Sequence, residues 1–300
     1  MRAFFDSDIW FSFTRSWVTM GSAIIAFICI AGAVAAPWLA PHNPFDLASL
    51  QLMDAFKPPA WTMEGDPLYP LGTDDQGRDM LSAIMYGARV SLLVGFSATI
   101  FATCLGVSVG LLAGYLGGTV DALLMRIADI QLTFPSILVA LLIDGIVRAA
   151  VPREVHDQIA LFVVILAIGV SEWPKFARTV RGSTLVERNK EYVLAARVIG
   201  LGRFKIMLQH VLPNVLGPVL VIGTLNLALA ILAEATLSFL GVGVPPTQPS
   251  LGTLIRIGND FLFSGEWWIT IFPGVALIIM VLSVNLLGDW LRDALNPKLR

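Results

Sequence analysis

Apolar residues fall into six long runs along this chain, and charged residues collect between them. Trp17 to Leu39 and Val90 to Val120 carry no charge at all; Asp121 to Arg148, Ile159 to Val170, Pro213 to Leu240 and Trp267 to Gly288 carry few charges or none. A spanning helix needs about 20 predominantly apolar residues. The pattern therefore predicts an all-α integral membrane protein with six transmembrane helices. Pro135 is expected to kink the third span, and Pro174, after Ser171-Glu172-Trp173, to end the fourth.

One island between the fourth and fifth spans has a different rhythm. Tyr192, Ala195, Ala196 and Ile199 recur at i, i+3, i+4, i+7, the period of a helix with one apolar face. Gly200 and Gly202 should stop that helix. Phe204, Met207, Leu208 and Val211 repeat the spacing in a second short helix, with Arg203, Lys205, Gln209 and His210 on its other side. Pro213 either ends it or opens the next helix. Two readings stand: a shaped basic surface for a soluble partner, or an amphipathic segment resting on lipid headgroups.

The longest polar stretch, Pro41 to Ala88, is proline-rich in its first half and should lie outside the membrane. Asp74, Asp75 and Asp79 invite a calcium reading, but their spacing does not fit an EF-hand loop, and an Arg78 to carboxylate contact is the better expectation. The small residues Ala33 to Ala36 look like a leader cleavage site. The apolar run before them exceeds the ~7–15 residues of a signal peptide, which favours an uncleaved first helix.

Ala98, Ala102, Gly106, Gly110 and Gly114 recur every four residues, a small-residue ridge that lets another helix approach closely. Gly106-Val107-Ser108-Val109-Gly110 also matches the G-x-S-x-G nucleophile pattern. A serine nucleophile needs a base within reach, and His42, His156 and His210 all fall in expected connecting segments. Of the ionisable groups in the spans, Arg126 and Asp129 share a face, as do Asp144 and Arg148, and these should pair structurally. Glu234, alone in the fifth span, must face protein or water. Asp144 and Glu234 are the candidates for a translocation path.

Composition agrees with the runs: 56% of the 300 residues are hydrophobic and 14% are charged, against ~25% charged in soluble domains. The net charge of -2 offers no argument for a nucleic-acid partner. Cys29 and Cys104 sit in apolar runs and indicate neither a disulfide framework nor a metal site. With both termini and the Lys190 island cytoplasmic, thirteen of the 20 Lys and Arg lie inside, six lie outside and Arg126 lies within a span. This is a positive-inside bias.

Three segments resemble a known family. Ala195-Ala196, three residues, Gly200, then Leu212-Pro213 are similar to the EAA loop of ABC importer permeases, with Leu194 in place of the pattern's Glu and His210 in place of its Ile. Glu191 lies one turn earlier. Leu71-Gly72-Thr73-Asp74, Gly77-Arg78-Asp79 and Tyr86-Gly87-Ala88-Arg89 resemble the signature of the dipeptide and oligopeptide branch. Phe239-Leu240-Gly241, Gly243 and Pro245-Pro246 resemble that branch as well, with Leu251 replacing a Trp. The resemblance implies a type I ABC importer permease fold: an N-terminal helix and extracytoplasmic segment over residues 1–88, and a five-helix core over 89–300 with a cytoplasmic coupling loop at 175–213. It further implies coupling to ATPase subunits through Glu191, Ala195, Ala196, Arg197, Gly200 and Pro213. The partners would be a homologous second permease, two ATP-binding subunits, an extracytoplasmic peptide-binding protein and membrane lipid, in a bacterial inner membrane.

No lysine follows a glycine, so there is no P-loop, and no H-E-x-x-H is present. ATP and Mg are thus expected on partner subunits, with no cofactor on this chain. A secondary transporter would need its own ion site, and no inverted repeat is apparent. The expected function is that of a non-catalytic permease subunit of an ATP-driven peptide importer, with nickel or glutathione also carried by relatives. An intramembrane serine protease using Ser108 is the alternative from another class.

Overall fold

The computed structural model describes residues 8–44, 46, 50, 52–245 and 247–294. Pro246, and Arg2, Lys298 and Arg300 among the thirteen inner cations, lie outside the described residues. The helices in chain order are α1 (Asp8–Arg15), α2 (Trp17–Val34), α3 (Ala36–Leu39), α4 (Met80–Leu116), α5 (Gly118–Leu132), α6 (Ser136–Ala150), α7 (Arg153–Glu187), α8 (Glu191–Val198), α9 (Arg203–Phe239), α10 (Leu251–Asn259) and α11 (Trp268–Ala294). Among the described residues, α2, α4, α7, α9 and α11 are long and apolar enough to cross a membrane, and α5 with α6 forms a sixth, broken span. Phe27, Phe96, Phe162 and Ile278 point outward, as expected of side chains solvated by lipid.

Local chemistry explains where α4 begins. Asp74 and Arg78 form a buried pair, Nε to Oδ2 at 2.5 Å, while Asp74 Oδ1 accepts the backbone N–H of Gln76 and of Arg78 at 2.9 Å each. Asp79 then caps α4, its Oδ2 accepting the Ser82 N–H at 2.9 Å and the Ser82 hydroxyl at 2.5 Å. Trp268 Nε1 donates to Thr73 O at 3.0 Å and ties this turn to α11. Farther out, Lys57 bridges Asp54 at 2.8 Å and Asp66 at 2.9 Å. Its hydrogen bonds hold both carboxyls below their ordinary range and raise the lysine.

The central seam joins α4 to α7. Ala98 and Ala102 are buried, and the glycines of the same ridge let α7 sit almost on the α4 backbone. A Cβ at Gly106 would stand 2.4 Å from Phe176 Cβ, one at Gly110 2.4 Å from Ala177 O, and one at Gly114 2.7 Å from Thr184 Cβ. No side chain fits at such distances without the helices separating. The pair Arg181–Asp121, with Nε–Oδ1 at 2.5 Å and Nη2–Oδ2 at 2.7 Å, ties α5 to the same helix in a bidentate contact.

Four expectations are corrected. Pro174 does not end the fourth span: α7 runs unbroken through it to Glu187. A proline leaves the carbonyl four residues back without its helical donor, and here that carbonyl, Val170 O, accepts from Gln131 Nε2. Gln131 Oε1 in turn accepts from Trp173 Nε1 at 2.9 Å. The second correction follows from α7's length, since residues 175 to 187, read as part of a cytoplasmic loop, are helical. Third, Pro135 does more than kink: α5 and α6 meet at 93°, with no residue of Thr133–Pro135 in helix. Fourth, Asp129 faces Arg178 at 3.8 Å and not Arg126, because α7 brings a cation from outside the local helix.

The seam and the proline patch make distinct predictions. Gly110→Leu should abolish accumulation of folded protein, whereas Cys104→Leu on the exposed face of α4 should be tolerated, as read by monodispersity in detergent. Gln131→Leu should lower stability by about 1–3 kcal/mol through the unpartnered Val170 carbonyl, measured as a fall in thermal unfolding midpoint. Equal behaviour of Gln131→Leu and wild type would show that lipid or a shifted backbone satisfies that carbonyl.

Candidate functional site

The candidate surface is built at one end of the bundle, where α7, α8 and α9 meet. Val193 and Ala196 of α8 are buried against Tyr115, Phe176, Val180, Ile206, Met207 and Val211. The apolar face read from the sequence is therefore displaced: Tyr192, Ala195 and Ile199 are exposed. In the following helix Ile206, Met207 and Val211 are inside, while Phe204 and Leu208 point out. The reason is the core's small contact patch, which accepts Val193 and Ala196 one turn apart. It leaves Leu194, Val198 (89% exposed), Ile199 (78%) and Phe204 (71%) as an uncovered apolar surface. A patch of this kind, rimmed by polar groups, marks an interaction site.

Gly200 makes the corner with φ +86°, a left-handed conformation natural to glycine. Leu201 N–H reaches back to Ala196 O at 3.1 Å and Gly200 N–H to Arg197 O at 3.0 Å, closing the end of α8. A Cβ at Gly200 would meet nothing within 4 Å, so its constraint is conformational and not steric. Arg197 lies over the Tyr115 ring, 5.3 Å from its centre. Glu191 is exposed and makes no hydrogen bond or ion pair with the described residues.

A polar clasp absent from the sequence reading holds the unit in place. The Tyr192 hydroxyl donates to Glu187 Oε2 at 2.7 Å and accepts from Asn214 Nδ2 at 3.2 Å, and Lys190 Nζ meets Glu187 Oε1 at 2.6 Å. Burial and the Glu187 carboxylate push the Tyr192 phenol up to about 12, so the clasp donor stays protonated throughout the physiological range. Separations of five and twenty-two residues give no helical-face signal. Exposed Pro213 does not break the chain: the turn Met207–Val211 takes π geometry, Leu212 N–H reaches Met207 O, and the helix continues to Phe239.

The two acids proposed for a path are both enclosed. Glu234 is 0% exposed; its Oε2 accepts from Ser91 Oγ and its Oε1 from Ser238 Oγ, each at 2.7 Å. Ser91 Oγ also accepts the Leu251 N–H at 3.3 Å, so the carboxylate stitches α4, α9 and the start of α10 together. Asp144 is buried between Arg148, with Nε–Oδ2 at 2.5 Å, and His156, with Nε2–Oδ1 at 3.3 Å. His156 belongs to α7 and not to a connecting segment. Ser108 is exposed on α4, its hydroxyl donating to Cys104 O at 2.7 Å, with none of the three histidines as partner. Among the described residues no group of three or more metal-ligating side chains converges.

Residues 106–300 match the family described as binding-protein-dependent transport system inner membrane component. The chain belongs to this permease family. Residues 5–59 of the permease match a second family, the N-terminal TM domain of oligopeptide transport permease C. The permease is 41% identical to the dipeptide transport system permease protein DppC of Escherichia coli (strain K12), over 98% of this chain and 93% of that one. It is 37% identical to the Haemophilus influenzae protein of the same name, over 98% and 95%, and 38% identical to the di/tripeptide transport system permease protein DppC of Pseudomonas aeruginosa, over 98% and 92%. Among solved structures, the inward-facing MetNI methionine ABC transporter superposes with a TM-score of 0.56 at 22% identity, covering 72% of the permease and 98% of that chain. That likeness speaks for the fold, which is the type I ABC importer permease fold. Nothing in the relatives or the geometry favours a protease built on Ser108.

The enclosure of Glu234 has a testable consequence for the permease. Glu234→Gln keeps a side chain that accepts from one serine and should cost little, whereas Glu234→Leu strands the Ser91 and Ser238 hydroxyls and should cost about 2–4 kcal/mol. Thermal unfolding in detergent reads the difference. Equal stability of the two variants would show that the serine contacts do not hold these helices together.

Proposed function

We propose that this chain is a transmembrane subunit of an ATP-driven importer of dipeptides or short oligopeptides, forming half of the translocation pathway with a homologous second permease. The observation that carries the substrate class is its similarity, over 98% of its length, to permeases named for dipeptide transport. Two ATP-binding subunits would supply ATP and Mg, and an extracytoplasmic binding protein would deliver the peptide. The setting is a bacterial inner membrane, with both termini and the α8 corner in the cytoplasm. Residues 1–88 then act as an anchoring helix with an outer segment, and residues 89–300 as the transport core.

In this reading the exposed apolar patch of Leu194, Val198, Ile199 and Phe204 docks on an ATPase, with Glu191, Ala195, Arg197, Gly200 and Pro213 around it and Ala196 beneath. Leu194 stands where related loops carry Glu, so the free carboxylate of Glu191 is assigned the polar contact. The Gly200 corner fixes the angle between α8 and α9, and the Tyr192 clasp passes a push on α8 to both α7 and α9.

Reconstitution with the partner subunits tests the substrate: uptake of a labelled dipeptide that depends on ATP and on the binding protein is expected, and its absence would overturn the assignment. Gly200→Val should place a β-branched residue in the left-handed region at a cost of at least about 1–3 kcal/mol and uncouple ATP hydrolysis from uptake, while Arg203→Gln should do far less. Loss in the charge variant alone would favour a headgroup anchor. For topology, single cysteines at Thr62 and Gln209, in a protein lacking Cys29 and Cys104, should react with an impermeant reagent from opposite sides of the membrane. Labelling of both from outside would remove the six-span arrangement.

A further inference from the structure

At the end of the bundle away from the α8 corner, α6, the start of α7, the end of α9 and α10 line an open cavity of about 580 Å³. The 35 residues of α7 separate it from the corner by ~50 Å at 1.5 Å rise per residue. This places it at the opposite membrane face. A volume of that size suits a small ligand.

Its charged lining is asymmetric. The Arg148 guanidinium is committed to Asp144 and also donates from Nη2 to Gly241 O at 3.3 Å. Arg256 lines the same cavity and makes no hydrogen bond or ion pair with the described residues. Gly241, at φ +81°, lies directly beside it: a Cβ there would stand 2.5 Å from Arg256 Nη1. On another wall Asp157, 58% exposed, has His156 Nδ1 at 3.9 Å, and that imidazole already faces Asp144 through Nε2. One half-buried cation and one available carboxylate thus line a single cavity.

We propose that this cavity receives the zwitterionic main chain of the transported peptide, the terminal carboxylate on Arg256 and the terminal ammonium on Asp157. The inference rests on the peptide reading above and deepens it. Short peptides share their two charged termini and differ in side chains, so a site that reads termini admits many sequences. Arg148 and Asp144 neutralise each other and leave the Arg256 charge to the ligand. A guanidinium also presents paired N–H groups that match a carboxylate.

The test uses the complete reconstituted importer with dialanine, dialanine amide and N-acetyl-dialanine, each at a concentration shown with the binding protein alone to saturate it. Arg256→Gln should slow dialanine uptake roughly tenfold to a hundredfold, the value of a charge-assisted contact, yet leave uptake of the amide within about twofold of wild type. Arg256→Lys should recover part of the dialanine rate. Asp157→Asn, at an exposed helix position where folding is not at stake, should slow dialanine and spare the N-acetyl form. Equal slowing of all three substrates would identify a contact with another subunit and overturn the proposal, as would no change in any. Wild-type importer that carries none of the three would instead overturn the peptide reading itself, and this site with it.

Discussion

A bilayer core offers no water to a backbone amide or carbonyl, so every polar group of a spanning segment must find its partner within protein. That constraint decides how α7 tolerates Pro174. At Pro174 the freed Val170 carbonyl is met by Gln131 from another helix, and α7 stays straight enough to reach Glu187. Before Pro213 the chain takes a π turn and proceeds. The first keeps α7 continuous through its proline, and the second joins the α8 corner to the long apolar part of α9 without a break. The whole bundle depends on those helices being continuous.

Once α7 is continuous, its position is set by the glycines of α4. The near-contact of Gly106, Gly110 and Gly114 with the α7 backbone leaves no slack for relative rotation. Packing and polar pairing then divide the work: the seam fixes distance, and Arg181–Asp121 and Gln131–Trp173 fix register. Glu234 does the same for α4, α9 and α10, which explains an acid in an apolar helix without assigning it to the path.

The spans, the small-residue ridge and the Gly200 corner were legible in the sequence because each rests on local periodicity or on a residue's own conformational range. What escaped was non-local. Pro174 reads as a terminator until Gln131, 43 positions earlier, is brought to its carbonyl; Asp129 reads as a partner of Arg126 until α7 presents Arg178. The α8 face was misplaced for a related reason. Periodicity identifies apolar positions, but it does not say which are covered by this chain and which are left for another. Tyr192, Ala195 and Ile199 carry the same hydrophobic signal as Val193 and Ala196, and only the shape of the core beneath separates the two sets.

Two of the helices that meet at the α8 corner, α7 and α9, also wall the far cavity. α7 carries Asp157 near its first turn and Glu187 at its last, and α9 carries Asn214 just past its π turn and Ser238 beside the cavity. Tyr192 grips Glu187 and Asn214 at once. In the coupling proposed above, a displacement of α8 would act on both helices together and reach the other face through them. Two distant groups on one rigid element move in concert only if nothing between them yields. In α7 the partner that Gln131 supplies to the Val170 carbonyl removes one such place, at Pro174.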